Sequence, residues 1–187
     1  MGVVFEMKSC ENQQTVSFES PIGTIKVTLC LFGLHRLSLV DHLVIPNKQI
    51  KVKLMAKDVI TDELIDKLNE WLSAYFECRD QQLDTKQLTL CPIFTSSTPE
   101  FYRKVWLLLK NNVKFGQTIS YSDLAAETGS PGASRAVGSA MKSNPIPLVV
   151  PCHRVIRKDG SFGHYSAGSG HALKEWLLNH EMNTSNN

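Results

Sequence analysis

The chain has no run approaching the ~18 to 20 consecutive apolar residues that a membrane-crossing helix requires. Its opening segment, Met1 to Cys10, lacks the charged start and apolar centre of a secretion signal, so the expected address is nucleus or cytoplasm, with no membrane partner. A large charge of one sign is also missing, the net being +2. The five cysteines are odd in number and scattered, which argues against a disulfide framework and for free thiols or a metal site in a reducing compartment. What remains is a soluble, globular expectation: 187 residues at 42% hydrophobic can bury one large core or two small ones.

The small net charge hides an asymmetry. Residues 1 to 94 carry 10 basic and 12 acidic groups (−2), whereas residues 95 to 187 carry 10 and 6 (+4), so an anionic partner belongs with the second half. Thr15 to Ser20 and Gly23 to Cys30 alternate apolar and polar residues around Ser20-Pro21-Ile22-Gly23, which predicts a hairpin, and Phe32 to Val40 can add a strand. Residues 41 to 57 read as a loop holding at most one strand, at Gln49 to Leu54. Thr61 can cap a helix whose apolar positions Leu64, Ile65, Leu68, Trp71, Leu72, Tyr75 and Phe76 form a core face rather than a site, with Cys78 packed at its end. A linker is expected at about 81–97, and then a helix capped by Thr98 with Pro99 in its first turn. The fold class is therefore α/β, more narrowly α+β. Residues 1–94 would form a small sheet-plus-helix domain, and residues 98–187 a mostly helical one.

Cys152 stands in Pro151-Cys152-His153-Arg154-Val155, directly after the apolar run Ile146 to Val150. Only a thiolate is a strong nucleophile, and a free cysteine titrates near ~8.5 unless a base or positive charge lowers it. His153 and Arg154 offer both. On an extended segment adjacent side chains point to opposite faces, so the thiol proton is expected to leave through a water or around a bent backbone. A buried core cysteine is the competing reading; the neighbouring proline, histidine and arginine favour the nucleophile.

Upstream, Ser120 to Glu127 and Ala133 to Lys142 predict two short helices around Gly129-Ser130-Pro131-Gly132, as in a helix-turn-helix, although an ordinary helical hairpin has the same pattern. The second helix surrounds one arginine, Arg135, with Ala133, Ser134, Ala136, Gly138, Ser139 and Ala140. Small side chains let a helix backbone approach a groove closely, and a lone arginine can enter a duplex or pair with phosphate. Base-edge reading would call for more Gln, Asn and Arg. Sequence-independent contact is the expectation.

Taken in order, these segments resemble the O6-alkylguanine-DNA alkyltransferase family. The matching motifs are Lys114-Phe115-Gly116 with Ile119-Ser120-Tyr121, Ser134-Arg135-Ala136-Val137-Gly138, Ser143-Asn144-Pro145-Ile146-Pro147, Pro151 to Val155, Gly163-His164-Tyr165-Ser166 and Lys174-Glu175-Trp176-Leu177-Leu178. Weaker matches fall at Ser20 to Gly23, Cys30 to His35 and Trp71 to Phe76. The resemblance implies a suicide reaction: Cys152 takes the alkyl carbon from guanine O6 of a base flipped out of double-stranded DNA. His153 would be the water-relayed base, Glu181 its orienter, Asn144 the brace of the active-site turn and Tyr121 a proton donor toward the guanine. Met141, Pro147, Val155, Tyr165 and Ser166 would form the substrate pocket. Tyr102, Tyr121, Ser122, Ser130, Ala133, Arg135 and Lys158 would meet DNA, with Arg135 filling the space the base leaves. Ala167, opening the glycine-rich turn, would narrow the pocket mouth.

No cofactor is implied for alkyl transfer. A structural zinc is, because Cys30 and His35 match two family ligands and Cys10 and Cys91 lie near the other two; such distant ligands form no metal motif by spacing. A monomer, cooperative on DNA in one version, is the expected state. Two rivals come from other classes. A DNA-damage sensor needs none of Cys152, His153 and Glu181, and a cysteine hydrolase needs Cys and His on separate segments.

Overall fold

Strict alternation builds the first layer. In β1 (Gln14–Glu19) and β2 (Ile25–Cys30), Val16, Phe18, Ile25, Val27 and Leu29 point to one face and are buried. With β3 (Gly33–Leu39) and β4 (Lys53–Ala56) they form an antiparallel sheet in the order β3-β2-β1-β4. The computed structural model describes residues 10, 13–39, 51–56, 62–79, 83, 85–92, 98–163 and 170–182. The fourth strand overlaps the expected 49–54 at Lys53 and Leu54 and runs on to Ala56, with a register shift between Ser17 and Phe18 where it pairs with β1. Against the sheet packs α1 (Asp62–Phe76), burying Ile65, Leu68, Trp71, Leu72 and Tyr75 as the helical spacing requires. The capping expectation for Thr61 lies outside the described residues.

Where it is described, the segment expected to be a linker is instead part of the packing. A 3₁₀ turn at Thr85–Gln87 leads into Leu88 and Cys91, both fully buried. Leu34 N–H donates to Thr89 O (2.8 Å), and Cys91 N–H donates to Leu34 O (3.0 Å). Gly33 explains the close approach: at φ +142 it is left without a Cβ, which would sit 2.4 Å from Thr89 O.

The second layer is helical. In α2 (Glu100–Asn112) Val105, Trp106 and Leu109 are buried, and Pro99 rather than Thr98 holds the N-cap position. An N-cap needs no N–H, and the Pro99 carbonyl accepts from Tyr102 and Arg103. Next come β5 (Ile119–Ser120), α3 (Tyr121–Glu127), α4 (Ser134–Lys142), β6 (Val155–Ile156) and α5 (His171–Met182). β5 and β6 pair in parallel. The α3–α4 turn uses Gly129 (φ +78) and Gly132 (φ +89), so the expected helix pair is present. One hydrophobic core runs from Val16 to Leu177 through both layers. No helix among the described residues is long and apolar enough to cross a membrane.

Candidate active site

Pro151 sets the geometry of the nucleophile. Its φ −80 and ψ 65 form an inverse γ-turn, closed by Cys152 N–H donating to Val150 O (2.8 Å). Cys152–Arg154 is then a 3₁₀ turn and not an extended segment, so the opposite-face placement of Cys152 and His153 does not hold. The preceding loop is braced as expected: Asn144 Nδ2 donates to Val150 O (2.8 Å), and Ile146 N–H donates to Asn144 Oδ1 (3.0 Å). Between those bonds Leu148, buried, is held at φ +71, a conformation costly for a residue with a Cβ.

Behind Cys152, His153 is fully buried, and its Nε2 lies 2.7 Å from Glu181 Oε1. An ionised carboxylate only accepts, so Nε2 carries the hydrogen and Nδ1 of the neutral ring holds the lone pair. Nδ1 is buried and has no hydrogen-bond partner among the described residues. Burial, the strongest influence, pushes His153 below the ordinary histidine value; Glu181 pulls it up, and Arg154 and Lys174 add to the lowering. Burial alone would raise Glu181, but His153 and Arg154 outweigh it and hold the carboxyl well below the usual carboxylate range. With His153 neutral near pH 7, the permanently charged Arg154 is the partner that keeps Glu181 ionised.

Arg154 therefore does not serve the thiol as its position in the sequence suggests. Its Nε and Nη2 donate to the two oxygens of Glu181 at 2.8 and 3.1 Å, and Nη1 donates to Val113 O at 2.7 Å. A second buried cation, Lys174, donates to Val155 O (2.5 Å) and to Phe162 O and is coupled by charge to Cys152. Burial brings Lys174 down to about 8, while the Cys152 charge acts to raise it. A lysine beside Leu173 and Leu177 on the buried face of α5 was the available signal for this role. Tyr75 of α1, expected only as core, also reaches the site: its hydroxyl donates to Glu181 Oε1 at 2.7 Å.

In front of Cys152 lies a cavity of about 780 Å³ whose lining includes Tyr121, Arg135, Gly138, Met141, Arg157 and Gly163. Tyr121 is aimed there by its place at the first turn of α3, where Ser120 Oγ accepts from Asp123 N–H (3.1 Å) as N-cap, and by the pairing of Ser120 with Ile156. Burial, then the Cys152 charge, raise the Tyr121 phenol, with Arg157 opposing, so it stays a donor. Any Cβ on Gly163 would stand 3.1 Å from the Tyr121 hydroxyl. Met141 lines the cavity as expected. Pro147 and Val155 do not; both are buried, and the Val155 carbonyl instead accepts from Lys174. Tyr165, Ser166 and Ala167 lie outside the described residues.

Around the mouth, Arg135 is exposed and Lys142 and Arg157 add positive charge; Arg157 was missed in the sequence. On α4, a Cβ at Gly138 would meet nothing within 4 Å, so the small-residue face is open. Ser122, Ser130 and Ala133 are half-buried on or between these helices, and Lys158 is exposed after β6. Tyr102 packs on Trp106 at 6.0 Å in α2.

A second cluster lies at the β2–β3 turn. Ligand atoms of Cys10, Cys30, His35 and Cys91 fall within 4.8 Å of one another. The Cys30–Cys91 and Cys91–Cys10 sulfur separations are 3.7 and 4.0 Å. Four ligands at a Zn–S length of ~2.3 Å would span tetrahedron edges of about 3.8 Å, and His35 Nε2 is a buried nitrogen with no hydrogen-bond partner among the described residues, so the set fits zinc.

The family model described as 6-O-methylguanine DNA methyltransferase, DNA binding domain, matches residues 100–183. A mouse protein named methylated-DNA--protein-cysteine methyltransferase is 41% identical over 184 residues, 93% of this chain and 83% of that one. A human protein of the same name is 40% identical over 176 residues, 93% of this chain and 82% of that one. Among solved structures, Mycobacterium tuberculosis OGT in complex with DNA is similar at TM-score 0.67 and 29% identity, covering 90% of this chain and 92% of that chain. The O6-methylguanine-DNA methyltransferase from Pyrococcus kodakaraensis strain KOD1 is similar at TM-score 0.57 and 28% identity, covering 91% and 99%.

Proposed function

Because the chain belongs to the methylated-DNA--protein-cysteine methyltransferase family, and is by that membership an alkyl-transfer DNA repair protein, we propose that Cys152 is its acceptor and that the reaction is a single-turnover displacement. The carrying observation is the thiol at the floor of an open cavity, with a buried histidine–carboxylate pair behind it and a phenol beside it. The Cys152 sulfur forms a bond to the alkyl carbon as the carbon–O6 bond breaks, and the electron pair returns to the guanine. His153 Nδ1 takes the thiol proton through a water, Glu181 holds the imidazole by Nε2–H, and Lys174 offsets the thiolate charge. Tyr121 donates a proton as charge develops on the departing guanine. The thioether does not hydrolyse, so each chain acts once.

A target carbon inside a duplex is reached by flipping its nucleotide out, at a cost of a few kcal/mol. The open face of α4, with Ser134, Gly138 and Ser139, suits a minor groove, with Ala133 at its start, and exposed Arg135 fills the vacated stack. Tyr102, Ser122, Ser130, Arg157 and Lys158 add phosphate contacts, and Tyr165 and Ser166 cover the base. The protein acts as a monomer on double-stranded DNA, without sequence preference. Residues 1–94 and 98–187 are proposed as two domains that share one core. Alkyl transfer needs no cofactor; Cys10, Cys30, His35 and Cys91 would hold a zinc whose service is to fasten the β2–β3 turn to residues 88–91.

Incubation with duplex DNA containing O6-methylguanine, followed by intact-mass measurement, tests the reading. The expected result is one adduct of about 14 Da on Cys152, absent in Cys152→Ala. DNA binding without a mass change would establish the sensor instead, and turnover beyond one equivalent would establish a true catalyst.

A further inference from the structure

Tyr75 lies in α1, far in sequence from Cys152 and on the helix face that periodicity assigns to the core. Its ring does pack there, against Trp71 (5.5 Å), Phe76 (5.1 Å), Phe115 (5.6 Å) and His180 (5.7 Å). Phenylalanine would satisfy all of those contacts. The hydroxyl needs a separate reason, and its surroundings supply one: it donates to Glu181 Oε1 at 2.7 Å and stands 3.4 Å from His153 Nε2. Glu181 Oε1 thereby receives His153 Nε2–H, the Tyr75 hydroxyl and Arg154 Nη2, while Oε2 receives Arg154 Nε and Gly116 N–H. Five donors compete for a carboxylate with about four lone-pair directions.

Building on the acceptor reading of Cys152, we propose that Tyr75 is a positioning residue for the Cys152–His153 pair: its hydroxyl fixes the Glu181 oxygen that His153 Nε2–H meets and takes a share of that oxygen's charge. The N-terminal layer is then part of the reaction apparatus and not only a support. The sign follows from the groups facing His153. Glu181 and Lys174 come from α5, Arg154 and Cys152 from its own turn, and Tyr75 from α1, with His180 next to Tyr75. Of these, only Glu181 stabilises the imidazolium by its charge once Cys152 is a neutral thiol. Withdrawing the Tyr75 donor leaves more of the Glu181 charge for His153, which favours the protonated ring and removes the lone pair that Nδ1 must offer.

The test uses the full chain with Tyr75→Phe, and with Tyr75 replaced site-specifically by 3-fluorotyrosine, a stronger donor of the same shape. NMR titration reads the His153 imidazole directly, with its signal assigned by loss in His153→Gln, and the rate of methyl uptake from O6-methylguanine duplex is followed from pH 5.5 to 9. Tyr75→Phe is expected to raise the His153 midpoint by about one unit and slow transfer about tenfold on the acid side, with rates converging at alkaline pH. The fluorinated side chain should move both in the opposite direction. Unchanged midpoints in both variants overturn the proposal, as does a uniform rate loss at every pH, which would mark a packing role alone. A wild-type chain that takes no methyl would defeat the acceptor reading, while the NMR midpoints would still decide the role of Tyr75.

Discussion

Glu181→Gln keeps the shape of the side chain and removes its charge, which isolates what the carboxylate contributes. Its partner Arg154 is 6% exposed and Glu181 1%, so the substitution leaves a guanidinium buried against a neutral amide whose NH2 must face another donor. Breaking a buried pair from one side costs ~3–5 kcal/mol. At about 2–4 °C per kcal/mol for a chain of this size, the melting temperature should drop by about 6 to 20 °C. The acid dependence gives a sharper check. Glu181 is held below its unfolded value of ~4.3, so its stabilisation is complete above that pH and is lost as pH falls through the folded value. The gap between wild type and Glu181→Gln should therefore be flat from about pH 7 to 8, above the histidine range, and narrow below about 4. Urea unfolding at a series of pH values measures it. A gap under about 1 kcal/mol at neutral pH, or one that stays constant into acid, would refute the assignment of Arg154 to Glu181.

Lys174→Met removes the cation that faces Cys152; alkylation of Cys152 by iodoacetamide at pH 7 should slow about 3- to 10-fold and recover at higher pH, whereas an unchanged profile would return the cationic role to Arg154. Asn144→Ala orphans the Ile146 N–H and leaves the Val150 carbonyl with the Cys152 N–H alone, at about 1–3 kcal/mol by urea unfolding, with slower methyl uptake as Leu148 relaxes from φ +71; equal stability would show that the loop stands without its brace. For the cysteine cluster, protein purified without chelators should contain about one equivalent of zinc by elemental analysis, and its removal should lower the melting temperature while leaving Cys152 able to take a methyl group. Zinc far below one equivalent excludes the site.

What could be read in the chain follows from how local each feature is. The hairpin strands, the α1 face and the α3–α4 pair depend on alternation or spacing within a dozen residues, and they appear where expected apart from a one-residue shift at Pro99. The β4 strand overlaps its expected range only at Lys53 and Leu54, and its pairing with β1 carries an irregularity at Ser17 and Phe18 that composition does not announce. Residues 88–91 passed for linker because their burial depends on Gly33 admitting a distant backbone. At the site, the Cys152 thiol lies on the cavity, His153 on Glu181 and Asn144 on the Val150 carbonyl, a grouping that rests on folding and not on spacing in the chain. Arg154 exchanged the expected thiol for Glu181, since a guanidinium two residues from the thiol looks like its cation until the fork is seen to match the carboxylate, and Lys174 had no expected role. Adjacency in sequence is a poor guide to which charge a buried group faces.

That exchange has a physical logic. A thiol that is 5% exposed and meets a histidine with no exposure lies in surroundings where an uncompensated charge is expensive, so each charge needs its own fixed partner. Arg154 is suited to Glu181 because its fork matches a carboxylate and its charge never titrates. Lys174 is suited to the thiol because a compact ammonium anchored on two carbonyls presents a point charge without occupying the cavity. Swapping the two would replace the two-pronged guanidinium pairing by a single point contact and leave one Glu181 oxygen without its Arg154 donor. Glu181 is reached from α1 by Tyr75, from the segment after α2 by Gly116, from the 3₁₀ turn by His153 and Arg154, and it stands on α5. Three segments thus close on one carboxylate carried by a fourth, and loosening any of them alters the base that serves Cys152. The reactivity of Pro151 to Val155 is for that reason a property of the folded chain and not of the pentapeptide.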